Sequence, residues 1–143
     1  MSAQENKALV ERFVEEFWNE GNLSTADELM APDARIHLPT GDVVDVDGLK
    51  GFAGAFRGSF PDWHSTFEEL VAEGDRVAER WTGRGTHRGE LQGIAPTGKR
   101  VEVPGSVFYR IAAGRIVAFR GQLDLMGMMR QLGAIPSPQQ AEA

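Results

Sequence analysis

HSTFEELVAEGDRVAERWTGRGTHR, residues 64–88, is the stretch of the sequence that decides the fold class. Apolar and polar side chains alternate on both sides of the turn signal Glu73-Gly74-Asp75, which is the pattern of two paired strands. The same alternation returns twice further along the chain, after Ala95-Pro96-Thr97-Gly98 and after Ala113-Gly114. The second half of the chain therefore predicts an antiparallel meander. Its predicted strands are 64–73, 76–88, 99–112 and 115–123.

The first half of the chain predicts helices. Residues 4–19 repeat apolar side chains at three- and four-residue spacing, which is typical of an amphipathic helix. Ser24 is expected to open a short second helix, a strand follows over 34–38, and Asp47 is expected to cap a third helix. A last short helix is predicted over 125–132. Helices followed by a meander indicate the α+β class: a curved antiparallel β-sheet wrapped around N-terminal helices, forming a cone with a deep pocket.

Length and composition limit the possible functions. The 143 residues are enough for one domain, expected over 1–136, with 137–143 as a flexible C-terminal tail. The net charge is −6 and the 15 Lys and Arg are scattered, which argues against nucleic-acid binding. The sequence has no long apolar run and no basic and apolar leader, so we expect a cytoplasmic protein without a membrane span. Because there is no cysteine, thiolate catalysis and disulfides are excluded.

Asp124 is the first candidate for a catalytic residue. It stands where the last predicted strand ends and the last helix begins, directly before an apolar set that includes Met128. A carboxyl facing a pocket of aromatic and Met side chains is poorly solvated, which raises its pKa toward the range of an acid/base catalyst. The alternative is that Asp124 only caps the following helix.

His87 is the second candidate. On strict alternation it shares a strand face with Val77, Glu79 and Trp81, and that face is expected to point into the cavity. The alternative is a strand-end histidine that is hydrogen-bonded near the surface. The other two histidines, His37 and His64, lie on different segments without the spacing of a ligand motif, so we expect no metal site.

Several motifs together resemble a known family. The stretch 85–90 (GTHRGE) followed by 93–98 (GIAPTG) is similar to a signature of the SnoaL-like polyketide cyclases. The closing stretch 124–133 (DLMGMMRQLG) and the opening stretch 17–22 (FWNEGN) also match that family. The resemblance covers about residues 5–136, nearly the whole chain.

The resemblance implies a reaction. In these cyclases an aspartate at the position of Asp124 acts as general acid/base without a cofactor, and it drives the intramolecular aldol closure of an aromatic polyketide ester. Carried over, this makes Asp124 the catalytic acid/base with His87 assisting, no cofactor and no metal, and a small hydrophobic or aromatic polyketide-like substrate. The family also implies a homodimer or homotetramer built on the exposed sheet face.

The sequence departs from the family pattern near the expected site. Val107 stands where the cyclases carry a histidine that assists the aspartate, and Gln122 stands where they carry a tryptophan, whereas Arg120 matches. Phe52 replaces a smaller polar residue, and Trp18 stands at an aromatic position of the first helix. The residues expected to bind substrate are Trp18, Phe52, Phe56, Trp63, Trp81, Val107, Arg120, Gln122 and Met128.

Three other functions stay open at this point. The missing histidine at Val107 also fits a branch of the family linked to anthracycline-type hydroxylation. The same fold serves other small-molecule isomerases, lyases and hydrolases. The third alternative is a non-catalytic module whose pocket binds a hydrophobic ligand.

Overall fold

A computed structural model describes residues 2–135, and the predicted tail 137–143 lies outside the described residues. Helix α1 (Ala3–Phe13) begins with a capping box, in which the Ser2 side chain accepts from the Glu5 amide and the Glu5 side chain accepts from the Ser2 amide. The helix continues as one π-helical stretch, Val14–Asn19. Such stretches are rare and often lie at functional sites.

The next elements lead into the sheet. They are α2 (Thr25–Leu29), β1 (Met30–His37), β2 (Val43–Val44) and α3 (Val46–Ser59).

Two local predictions for these elements were wrong. Strand β1 begins at Met30 and not at residue 34, because the chain is already extended there. The cap of α3 is Asp45, whose side chain accepts from the Gly48 amide at 2.8 Å, and not Asp47. Ser24 is the residue directly before α2, as predicted, although its side chain makes no capping hydrogen bond and its hydroxyl donates to Asn22 instead.

The meander forms as predicted, with strands β3 (His64–Glu73), β4 (Arg76–Thr86), β5 (Arg100–Ala112) and β6 (Arg115–Leu123). The strand order is β2-β1-β6-β5-β4-β3, and all neighbours are antiparallel except β1 and β6, which are parallel. The two-residue turn between β5 and β6, Ala113-Gly114, has φ of +51° and +76°, as a type I′ hairpin turn requires.

The sheet has one buried and one exposed face, as strict alternation requires. In β4 the odd-numbered residues are buried and those between them are half-buried or exposed. The buried face packs against α1 and α3 through a core rich in Phe, Trp, Val and Ile. Helix α4 (Leu125–Leu132) follows β6 and ends at Gly133, where φ is +78°. The predicted α+β class with a curved sheet is confirmed. Within residues 2–135 no helix combines the length and the apolar character needed to cross a membrane.

Candidate active site

A cavity lies between the inner face of the sheet and the helices, and six of the fifteen residues of its wall are aromatic. It is lined by Val14, Trp18, Leu38, Pro39, Phe52, Phe56, Trp63, Ser65, Glu79, Trp81, Val107, Phe119, Gly121, Gln122 and Leu123. The π-helical stretch supplies Val14 and Trp18 of this wall. Glu79 is the titratable side chain of this lining, so the cavity is apolar with a single carboxyl.

Two glycines in the strands make room for the large indoles of the cavity wall. A Cβ atom at Gly105 would lie 2.1 Å from Cζ2 of Trp81, its partner across β4 and β5. A Cβ atom at Gly83 would likewise lie 2.1 Å from Cζ2 of Trp63. Contacts this short do not occur between real atoms, so any larger residue would displace the ring. The glycines in these strands therefore set where the cavity wall stands.

Glu79 is a buried carboxyl on the inner face of β4, with 3% of its surface exposed. Its Oε1 accepts a hydrogen bond of 2.7 Å from the Tyr109 hydroxyl, and Tyr109 is itself buried at 2% exposure. Among residues 2–135 no Lys, Arg or His pairs with this carboxyl. A buried carboxylate without a cation is costly, so the protonated form gains relative to the ionised form.

Burial dominates the proton affinity of this pair. It raises the pKa of Glu79 from the ordinary value of 4.5 to about 7, while the hydrogen bond from Tyr109 acts in the opposite direction. Burial and the neighbouring Glu79 carboxyl raise the pKa of Tyr109 well above its usual value, so the phenol stays neutral and donates. A carboxyl that titrates near pH 7 can take up and return a proton under physiological conditions.

Ser65 is a second polar group of the cavity. Its Oγ accepts a hydrogen bond of 3.1 Å from Nε1 of Trp63. Its backbone is fixed by Asn19, whose Oδ1 accepts from the Ser65 amide at 2.7 Å and whose Nδ2 donates to the Ser65 carbonyl at 3.0 Å. The π-helical stretch, which contains Asn19, thereby holds the beginning of β3 in place.

The cavity is narrow in this conformation, with a volume of about 50 Å³. Small-molecule sites that enclose their ligand measure roughly 300–1,000 Å³. Trp18 and Phe52 are only half-buried, and their rings pack edge to face at 6.4 Å. A ring system therefore requires rotation of such half-buried side chains to enter.

The structure places Asp124 outside this cavity, as the N-cap of α4. Its carboxylate is exposed and accepts from the Gly127 amide at 2.9 Å. A Cβ atom at residue 127 would lie 2.1 Å from Oδ2 of Asp124, so a larger residue there would displace the carboxylate from this position. The D-x-x-G part of the closing motif thus has a structural explanation as a helix cap.

His87 also lies away from the cavity lining. Strand β4 ends at Thr86, so the alternation that would turn the imidazole into the cavity stops one residue before it. The ring is fully buried against Phe60, with centroids 5.6 Å apart, and Nδ1 accepts from the Thr97 amide at 3.2 Å. Its Nε2 is buried without a hydrogen-bond partner among the described residues. The hydrogen bond from Thr97 to His87 therefore holds the loop 88–99 against the end of β4.

Most of the residues expected to bind substrate line the cavity, and two do not. The lining includes Trp18, Phe52, Phe56, Trp63, Trp81, Val107 and Gln122. Arg120 is exposed on the outer face of β6, where its Nη2 lies 3.4 Å from Nε2 of His37. Met128 is buried in the core, because α4 folds back against β5.

Sequence reasoning did not single out Glu79, Tyr109 or Ser65 as functional residues. The available signal was a charged residue at an inward position of a strand, between Val77 and Trp81. Residues 2–135 contain no group of three His, Cys, Asp or Glu side chains that could hold a metal ion.

Comparison with known proteins is consistent with this fold. The model of the family SnoaL-like polyketide cyclase matches residues 8–132. IdmH from Streptomyces antibioticus, a proposed polyketide cyclase, is 36% identical with a TM-score of 0.80, and the match covers 90% of this chain and 98% of that one. AclR from Streptomyces galilaeus, a proposed hydroxylase, is 29% identical with a TM-score of 0.86, covering 95% and 89% of the two chains.

A third solved structure, a proposed SnoaL-like polyketide cyclase from Jannaschia sp. CCS1, is 26% identical with a TM-score of 0.86 and covers 94% of this chain and 95% of that chain. No functionally curated protein is significantly similar in sequence. With a family match over most of its length and the fold of these structures, the chain belongs to the SnoaL-like polyketide cyclases.

Proposed function

We propose that this protein is a cytoplasmic, cofactor-independent enzyme that closes a ring in an aromatic polyketide ester by acid/base catalysis, with Glu79 as the proton-transfer group. The observation that carries the proposal is a single carboxyl, with a pKa of about 7, in a cavity whose lining is apolar apart from this carboxyl, Ser65 and Gln122. An apolar wall suits an aromatic substrate, and the carboxyl supplies the proton transfer that an aldol closure needs.

The proposed steps balance without an added reagent. The ionised Glu79 carboxylate removes a proton from an acidic carbon of the substrate, and the electron pair of that C–H bond passes into an enolate. The enolate carbon then forms a C–C bond to a ketone carbon of the same molecule. The resulting alkoxide takes the proton back from Glu79, which restores the carboxylate. Tyr109 donates to the carboxyl throughout and keeps its oxygen oriented.

Asp124 remains a hypothesis for the same role on the basis of the family resemblance. Two observations favour Glu79 over it: Asp124 is exposed, and its carboxylate is already used by the Gly127 amide. His87 is disfavoured for a direct role as well, because its buried ring lies apart from the cavity lining.

A second candidate is a hydroxylation-linked reaction. It is favoured by the similarity to AclR and by Val107, which lines the cavity where the resemblance expects a histidine. Removal of a proton by Glu79 is common to both reactions. In ring closure the carbanion attacks a ketone of the same molecule, whereas in the hydroxylation-linked reaction it reacts with molecular oxygen.

The proposal includes self-association through the outer face of the sheet. Val71 and Phe108 are 57% and 60% exposed there, and both lie beside Ala78 of β4 in the strand register. Oppositely charged side chains that form ion pairs lie next to these two apolar residues, including Arg80 with Glu69. An apolar centre with a mixed-charge rim suits a symmetric interface between two copies. Light scattering on the wild type and on Phe108→Asp tests it: a dimer that becomes a monomer is expected, and a monomeric wild type contradicts it.

The function is tested by incubating the wild type and Glu79→Gln with an anthraquinone-type polyketide methyl ester, with chromatography to follow ring closure. The substitution keeps the size of the side chain and an acceptor for Tyr109 but removes the transferable proton site. We expect turnover by the wild type and a loss on the order of 100-fold or more in the variant. Tight binding without turnover in either protein would instead indicate a binding module, and oxygen consumption would indicate the hydroxylation-linked reaction.

A further inference from the structure

Ser65 lines the cavity and carries a hydroxyl whose proton is unused. Its Oγ already accepts from Nε1 of Trp63, so the lone pair on that side is occupied. No acceptor for the Ser65 hydroxyl proton exists among residues 2–135. The residue is 8% exposed, so bulk water does not replace that acceptor freely. A buried hydroxyl whose proton has no acceptor is free to donate a hydrogen bond to a bound ligand.

We propose that Ser65 is a further catalytic residue, whose hydroxyl donates a hydrogen bond to the substrate oxygen on which negative charge develops. The inference rests on the proposed function, because that charge develops only if a base removes a proton from the substrate. A preorganised donor aimed at a developing oxyanion stabilises the transition state more than the ground state. Since Trp63 donates to the same Oγ, it turns the serine proton away from the indole.

The donor is held rigidly in place. Asn19 binds both the amide and the carbonyl of Ser65, with bonds of 2.7 and 3.0 Å. Arg57 in turn donates through Nη1 to the carbonyl oxygens of Trp18, Asn19 and Trp63, at 2.8, 3.2 and 3.4 Å. The guanidinium therefore ties the π-helical stretch to the turn that carries the indole. A donor fixed in this way needs no reorganisation when charge appears.

The strand register separates this donor from the base. Ser65 lies opposite Gly83, and Glu79 is four residues before Gly83 on the same face of β4, which corresponds to about 13 Å along the strand. Trp81 lies between them on that face. The carbon that loses the proton and the oxygen that receives the charge are therefore not neighbours. In the bound substrate, this carbon and this oxygen lie on opposite sides of a conjugated ring system, through which the negative charge is delocalised from one to the other.

Anthrone is a probe with this arrangement, because its acidic CH₂ and its carbonyl lie on opposite sides of the central ring. Exchange of the CH₂ protons for deuterium, followed by NMR without oxygen, measures proton removal by itself. We expect exchange above the buffer rate with the wild type, its loss in Glu79→Gln, and a reduction of at least about tenfold in Ser65→Ala.

A matched background separates catalysis from structure. In Trp63→Phe the indole donor is gone, so the Ser65 hydroxyl has no hydrogen-bond partner left among residues 2–135, while Asn19 still holds its backbone. If Ser65 serves the substrate, Ser65→Ala reduces exchange by a similar factor in this background. If Ser65 only satisfies Trp63, the second substitution has no effect there, and the inference is overturned. Thermal unfolding of the wild type, Ser65→Ala, Trp63→Phe and the double variant identifies any of them that fails to fold.

A second readout does not depend on turnover. The infrared carbonyl stretch of bound ¹³C=O anthrone should lie at lower frequency in the wild type than in Ser65→Ala, because a hydrogen bond weakens the C=O bond. Equal frequencies in the two proteins contradict the inference even if exchange is catalysed. A frequency shift without exchange leaves the Ser65 contact in place and contradicts the role of Glu79 instead.

Discussion

Glu79 and Asp124 are two carboxyls on the same meander, and their surroundings are opposite. Glu79 is 3% exposed, in the middle of β4, among aromatic side chains, and a phenol is its hydrogen-bond partner. Asp124 is exposed, follows the end of β6, and accepts from a helix amide. The first is held where ionisation is costly, so its pKa rises to about 7. The second stabilises a helix terminus.

The comparison teaches what the family motifs encode. In the closing motif, Gly127 allows Asp124 to approach its amide. In the motif over 85–90, the Arg88 and Gly89 amides both donate to the Ser59 carbonyl, which joins the loop to the end of α3. A Cβ atom at Gly89 would lie 2.1 Å from the Gly58 carbonyl oxygen. These motifs fix the scaffold, whereas the carboxyl of the cavity comes from the part of β4 that precedes the motif.

The largest expected effect concerns the pH dependence of stability at Glu79. The folded state binds the Glu79 proton up to about pH 7, while the unfolded chain loses it near 4.5, so burial destabilises the fold progressively as pH rises between these values. Glu79→Gln removes this cost. Its free energy of unfolding should exceed that of the wild type by about 3 kcal/mol at pH 8 and by little at pH 4. Urea unfolding at the two pH values measures it, and a difference that does not change with pH would break the comparison.

Tyr109→Phe tests how the hydrogen bond from Tyr109 affects Glu79, the carboxyl of the cavity. Loss of the phenol removes the hydrogen bond that favours the ionised carboxylate, so the pKa of Glu79 should rise further. At pH 6.5 turnover should fall roughly tenfold, and most of it should return at higher pH. A pH–rate profile of the two proteins checks this. A uniform loss at every pH would mean that Tyr109 acts on packing and not on the proton affinity of Glu79.

The smallest effect is expected at the helix cap. Asp124→Ala should lower the free energy of unfolding by about 1 kcal/mol, whereas Asp124→Asn should be nearly neutral, because asparagine also caps helices. Turnover of folded Asp124→Asn should stay within about twofold of the wild type. Thermal unfolding and the ring-closure assay measure the two quantities. A loss of turnover as large as that of Glu79→Gln would reverse the assignment of the two carboxyls.

Much of the fold follows from the sequence, because the four strands of the meander are long and are separated by strong turns. All four begin and end within two residues of their predicted bounds. The errors fall where a local signal competes with tertiary pairing. Met30 is already extended. Strand β1 pairs with β6 in parallel, and no turn in the sequence predicts this pairing because the two strands are far apart along the chain.

The site could be predicted only in part. The aromatic wall follows from alternation and helical spacing, and so does the inward face that carries Glu79. Its partner does not, because the contact with Tyr109 depends on the register of β4 against β5, where Val77 lies opposite Tyr109. His87 shows the limit of alternation: once β4 ends at Thr86, the direction of the next side chain is set by the loop.

The central claim, that a carboxyl in the cavity titrates near neutral pH, can be tested directly by infrared spectroscopy of the unliganded protein. The carbonyl band of a protonated, buried carboxylic acid is followed from pH 5 to pH 9 in the wild type and in Glu79→Gln. The account predicts a band that disappears with a midpoint of about 7 in the wild type and that is missing from the variant. No carboxyl titrating between about pH 6 and 8, or one that persists in Glu79→Gln, would contradict it.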